Sequence, residues 1–89
     1  MTFGELIRQQ REARGLTLLE VAAEVGISIG YLSRIERGRE NVPGDELIRR
    51  ISTKIGLPQD DAFAAARRLP PDLKPRAREM FALYRNFSR

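Results

Sequence analysis

The chain has 89 residues, 42% of them hydrophobic and 31% charged, a mixture that suits one compact folded domain and leaves too little material for two independent cores. It contains neither cysteine nor histidine, which excludes a disulfide scaffold, a thiol nucleophile, a histidine base and the metal sites built on those ligands. Sixteen basic against twelve acidic residues give a net charge of +4, a mild pull toward polyanions concentrated at residues 67–89, which carry seven basic and two acidic groups. No run approaches the roughly 18 apolar residues of a membrane span, and Glu5 and Arg8 stand where a signal peptide would be apolar. The expectation is a soluble cytoplasmic, nucleoid-associated protein with no membrane partner.

Turn signals divide the chain into short pieces that read as helix. Thr2 can cap a first helix of about twelve residues in which Phe3, Leu6 and Ile7 share a face, with Gly15 ending it. Thr17 is the next cap, with Glu20 in capping-box position and Val21, Ala22 and Val25 on the apolar side before Gly26. Ser28 caps a third helix carrying Tyr31, Leu32 and Ile35 that ends before Gly38. Only Gly26, Ile27 and Ser28 separate these two short helices, which predicts a steep crossing. After the polar loop GRENVPG, Asp45 and Glu46 suit the first turn of a fourth helix with Leu47, Ile48, Ile51 and Ile55 as its buried stripe and Gly56 as its stop. Pro58 opens a fifth helix with Ala62, Phe63, Ala66 and Leu69 on its apolar face, ended by Pro70 and Pro71. Pro75 can sit in the first turn of a sixth, where Ala77, Met80, Phe81, Tyr84 and Phe87 fall at helical spacing.

The segment from Gly15 to Gly38, GLTLLEVAAEVGISIGYLSRIERG, resembles the Cro and phage-repressor type of helix-turn-helix domain, often called the XRE family. The resemblance rests on the joined pattern of Gly15, Ala22, Gly26, Leu32, Ile35, Glu36 and Gly38 and extends from Phe3 to Leu57. It implies an all-α, five-helix lambda-repressor-like DNA-binding domain over residues 1–69, here followed by an additional helical extension at 70–89. It also implies a unit that works as a homodimer on double-stranded DNA with pseudopalindromic half-sites, residues 17–25 being the positioning helix and 28–36 the recognition helix. A further implication is that Arg11 and Glu36 meet across the first and third helices in a partly buried structural ion pair.

Major-groove entry requires a short exposed helix with small or polar leading residues and an apolar back that locks it to its domain. Ile29, Gly30, Ser33 and Arg34 are the candidate base readers, with Leu32 and Ile35 pointing inward. Arg34 is the preferred one, since its fork matches guanine O6 and N7 and such a contact discriminates by about 1–3 kcal/mol. Ile29 and Gly30 stand where similar repressors carry polar base-reading side chains. Ile29 can touch a thymine methyl, Gly30 allows close backbone approach, and part of the specificity then comes from DNA shape. Thr17, Ser28, Tyr31, Arg37 and Arg39 are candidate phosphate contacts, two of them at helix starts where free amides meet anions. Thr17 and Ser28 serve equally as plain helix caps, and the arginines as a solvated loop. Leu18 and Gln10 depart from the family, which often has a backbone-gripping Gln at the first position and an apolar residue at the second.

The sixth helix packs either on its own chain or against a second subunit. In the second case Met80, Phe81, Tyr84 and Phe87, alone or with Phe63 and Leu69, form the dimerisation surface, and two recognition helices stand about one duplex turn apart. An enzyme is not expected. Asp45 and Glu46 are adjacent and so diverge on a helix, Asp60 and Asp61 read as first-turn charges, and no glycine loop with a lysine is present. No cofactor or metal is implied. The reading is a sequence-specific transcriptional regulator, a repressor in its leading form, with a protein partner left open. The alternative is a protein-interaction module that uses the same fold with little specific DNA binding.

Overall fold

A computed structural model describes residues 1–67, and these form five α-helices and no strand: α1 (Phe3–Ala13), α2 (Leu18–Val25), α3 (Ile29–Glu36), α4 (Asp45–Ile55) and α5 (Gln59–Ala65). None of these helices is long and apolar enough to cross a membrane. The expected sixth helix, with Met80, Phe81, Tyr84 and Phe87, and the Leu69 contact lie outside the described residues.

The starts of α1, α2, α3 and α5 and the end of α2 follow from local chemistry. The Thr2 hydroxyl accepts from the Glu5 amide at 3.1 Å and starts α1. At α2 the capping box is complete: Thr17 Oγ1 accepts from the Glu20 amide at 3.0 Å, and the Glu20 carboxylate accepts from the Thr17 amide at 3.4 Å. Ser28 Oγ accepts from the Tyr31 amide at 3.0 Å and starts α3. Pro58 occupies the cap position of α5, one residue before the helix proper, where a missing amide costs nothing. Gly26 ends α2 in the left-handed region, at φ 79°, and its amide together with that of Ile27 bonds the Ala22 carbonyl. That reversal is what compresses the α2–α3 connection to three residues.

Among the described residues the core is one cluster. Phe3 and Ile7 of α1, Val21, Ala22 and Val25 of α2, Leu32 and Ile35 of α3, Ile48, Ile51 and Ile55 of α4, Leu57, and Ala62 and Phe63 of α5 are all buried. α2 lies against both α3 and α4, and α1 reaches α3, α4 and α5, so the third helix is held from behind by two others. Leu6, Tyr31, Leu47 and Ala66 pack at the margin of this cluster. Phe63, expected to help bury a second subunit, is only 1% exposed within its own chain, because the short α5 needs its one large apolar side chain to dock on α4 and α1. It offers no surface to a partner.

Two polar devices complete the packing. Ser52 is fully buried on α4; its hydroxyl donates to the Arg49 carbonyl at 3.0 Å and accepts from Gln59 Nε2 at 2.9 Å, tying the start of α5 to α4. Gln10 on α1 and Arg14 at the C-cap of that helix donate to carbonyls at the end of α4, Gln10 to Ile55 at 3.2 Å and Arg14 to Gly56 at 3.4 Å. The polar residue at position 10 thus serves a helix terminus whose carbonyls lack intrahelical partners.

Candidate nucleic-acid interface

The outward side of α3 is defined by what its inward side buries. Leu32, Ile35 and Glu36 face the core, which leaves Ile29, Gly30 and Arg34 exposed and Ser33 half-exposed. Ile29 retains 45% of its accessible surface and is suited to an apolar contact such as a methyl group. Tyr31 is half-buried, its ring against the core margin.

Behind α3 the Arg11–Glu36 pair acts as a brace. Arg11 Nε donates to Glu36 Oε2 at 2.8 Å and Arg11 Nη2 to Oε1 at 3.0 Å, a two-point fork between α1 and α3. The remaining guanidinium nitrogen, Nη1, donates to the Leu16 carbonyl at 2.8 Å in the α1–α2 turn. One side chain therefore ties together the last turn of α1, the approach to α2 and the last turn of α3. The hydrogen bonds that Arg11 donates to Glu36 raise its pKa above the ordinary value against the opposing effect of burial, so the group stays charged. The same contact explains Gly4, where any Cβ would run into the Ile35 and Glu36 carbonyls of α3. α1 and α3 approach backbone to backbone there, and only glycine permits it.

Around the exposed face lie polar groups of the kind that meet phosphate oxygens. Thr17 and Ser28 stand at the starts of α2 and α3, and both hydroxyls are engaged as caps. Their helix starts still present backbone amides and the positive end of the helix dipole. Arg37 and Arg39 are exposed just beyond the end of α3. Arg8, Arg11, Leu18, Ser33, Glu36 and Arg37 line a small cleft between the start of α2 and the end of α3. Arg8 was not among the expected site residues. Its position three residues before Arg11 on the same helix is the signal that places it there, and an exposed bond to Glu12 at 2.9 Å occupies its Nε.

Arg34 is not isolated. Its Nε donates to Glu40 Oε1 at 2.8 Å, a contact across the end of α3 that residue spacing alone does not suggest. Near the start of the same helix, a Cβ on Gly30 would lie 3.3 Å from Arg34 Nη1. The glycine therefore leaves room for the arginine fork as well as for an approaching backbone.

This combination of a short, capped, outward-facing helix, a second capped helix behind it and a three-residue turn defines a helix-turn-helix protein. The helix-turn-helix domain family matches residues 2–69, and the chain belongs to that family, in its Cro and phage-repressor (XRE) branch. Among curated proteins it is 46% identical over 55 residues to the transcriptional regulator ClgR of Mycobacterium tuberculosis, a match that covers 62% of this chain and 48% of the relative. It is 36% identical over 59 residues to the transcriptional repressor RghR of Bacillus subtilis, covering 66% and 44% respectively. The chain thus spans about half the length of the curated relatives it matches. Among solved structures it is similar to the clp gene regulator ClgR of Corynebacterium glutamicum, with a TM-score of 0.65 and 31% identity over 97% of this chain and 88% of that one. These relatives are named as regulators of transcription, a non-enzymatic class.

Proposed function

We propose that this protein is a sequence-specific double-stranded DNA-binding regulator of transcription, acting as a homodimer and most directly as a repressor. The observation that carries the reading is the outward face of α3: Ile29, Gly30, Ser33 and Arg34 stand free of the core while the Arg11–Glu36 fork and the buried Leu32 and Ile35 hold the helix rigid behind them. A face so held enters a major groove without first paying to order itself. Ile29 and Arg34 then meet base edges, while the α2 and α3 starts at Thr17 and Ser28, the Tyr31 hydroxyl and the Arg37 and Arg39 side chains position the domain on phosphates. A repressor follows from steric occlusion of polymerase at the bound site, in line with the name of the Bacillus relative.

Residues 70–89 are the proposed pairing element, through Met80, Phe81, Tyr84 and Phe87 with Leu69, which sets two copies of α3 on related half-sites. A second reading takes the exposed Leu19 and Ile29, 60% and 45% accessible, as apolar contacts for a protein partner.

Selection on random duplexes, with solution mass measured in parallel, separates the two. The expected result is an enriched inverted repeat bound by a dimer, with log affinity falling against log salt at a slope of about −0.9 for each phosphate neutralised. Arg37→Ala or Arg39→Ala then makes that slope shallower by about one, because one phosphate is no longer neutralised, and weakens all sequences alike. Absence of duplex binding even at low salt contradicts the DNA reading and leaves the protein-partner one.

A further inference from the structure

Two features bear on the position of Arg34. The first is created by the chain reversal that ends α3. Gly38 adopts φ 72°, its amide donates to the Ile35 carbonyl at 3.1 Å, and the Arg39 amide donates to the Arg34 carbonyl at 2.9 Å. That pair of bonds folds the chain back over the last turn of the helix and brings Glu40, six residues after Arg34, alongside it, with Nε and Oε1 2.8 Å apart. The second is the space above Gly30, where a side-chain carbon would crowd Arg34 Nη1 at 3.3 Å. The guanidinium lies between a carboxylate on its Nε and a gap in the helix surface under its Nη1.

Stability does not account for this arrangement. The two side chains keep 51% and 35% of their accessible surface, and exposed ion pairs of this kind contribute little to folding. Nor does affinity for a polyanion, because a carboxylate beside the reading face repels phosphate. Orientation does account for it. An unrestrained arginine must lose several rotamers to reach a base, whereas one whose Nε is already bonded presents its Nη1–Nη2 edge in one direction. Two parallel donors in a fixed direction match the two acceptors, O6 and N7, on the major-groove edge of guanine.

We propose that Glu40 is a positioning residue that sets the base specificity of Arg34, with Gly30 leaving space beside the guanidinium. The carboxylate gives up some overall affinity and adds discrimination at one base position. This rests on the proposed groove-reading role of α3, and the experiment is arranged so that the two fail separately.

Wild type, Arg34→Ala, Glu40→Ala, Glu40→Gln and Gly30→Ala are compared by random-duplex selection, followed by competition between the selected duplex and its single-base variants at fixed salt. Arg34→Ala identifies the position it reads. Glu40→Ala is expected to lose discrimination at that same position by roughly five- to tenfold while the other positions keep theirs. It is also expected to bind unrelated duplex a few-fold more tightly at low salt, since it lacks the negative charge. Glu40→Gln, whose amide oxygen still accepts from Nε, falls between Glu40→Ala and wild type. Gly30→Ala favours the helix and so raises the thermal midpoint, yet it lowers the same discrimination, a combination that a purely structural role does not produce.

The proposal is overturned if Glu40→Ala keeps wild-type discrimination at the position that Arg34→Ala flattens, and in that case the reading of α3 stands. It is equally overturned if wild type selects a sequence that Arg34→Ala leaves unchanged. If wild type selects no sequence at all, the reading of α3 falls with it.

Discussion

A buried carboxylate survives only where hydrogen-bond donors replace the water it has shed, and Glu36 has both oxygens on one arginine. Arg11→Met removes those donors and leaves the charge stranded, so a loss of about 3–5 kcal/mol in urea unfolding is expected. The double variant Arg11→Met, Glu36→Leu should recover most of it, short by about 1 kcal/mol for the Leu16 carbonyl that Arg11 also served. A double variant no more stable than Arg11→Met would show that the fork is not the brace. A raised arginine pKa stabilises the folded state at every pH below the unfolded group's value, and the effect disappears only as pH rises through the folded value. Arg11 titration therefore adds no slope to stability between about pH 6 and 9. Gly4→Ala, which drives a methyl into two carbonyls of α3, should cost about 2 kcal/mol or more by the same measurement, although alanine is the better helix former. At this scale the sequence was partly legible. The pairing of Arg11 with Glu36 came from resemblance, and the buried stripes came from spacing. The roles of Gly4, Gln10 and Glu40 were not legible, because each depends on a backbone carbonyl or side chain brought near by the crossing of two helices or by a chain reversal, and not by neighbours in the chain.

Among the elements, α2 and α3 were readable to the residue because their signals are local: a capping hydroxyl at Thr17 or Ser28 and a left-handed glycine at Gly26 or Gly38. Phe63 shows where local signals stop. An apolar residue on an amphipathic helix is marked for burial, but the pattern does not say whether its own chain or a second copy covers it, and here α4 and α1 do so. The end of α3 carries a testable consequence. A Cβ at Gly38 meets nothing within 4 Å, so Gly38→Ala is strained only through its positive φ, and a loss of about 1–2 kcal/mol is expected in urea unfolding. Gly38→Asn should lose less, since asparagine tolerates that region. Equal losses for the two would contradict a conformational cause.

For the whole molecule, net positive charge and one rigid outward helix fit a partner that is long, regular and anionic. If residues 70–89 join two copies, solution mass should fall from dimer to monomer when Met80 and Phe81 are replaced by Ser, while unfolding stays cooperative. An unchanged dimer would move the pairing surface elsewhere. The central claim is that the outer side of α3 meets duplex DNA, and amide NMR shifts recorded while a short duplex is added at low salt test it most directly. The account predicts the largest changes at Thr17 and Leu18, at Ser28 to Arg34 and at Arg37 to Arg39. Shifts confined to the α4 surface around Arg49, Arg50 and Lys54, with the α3 amides unmoved, would contradict it.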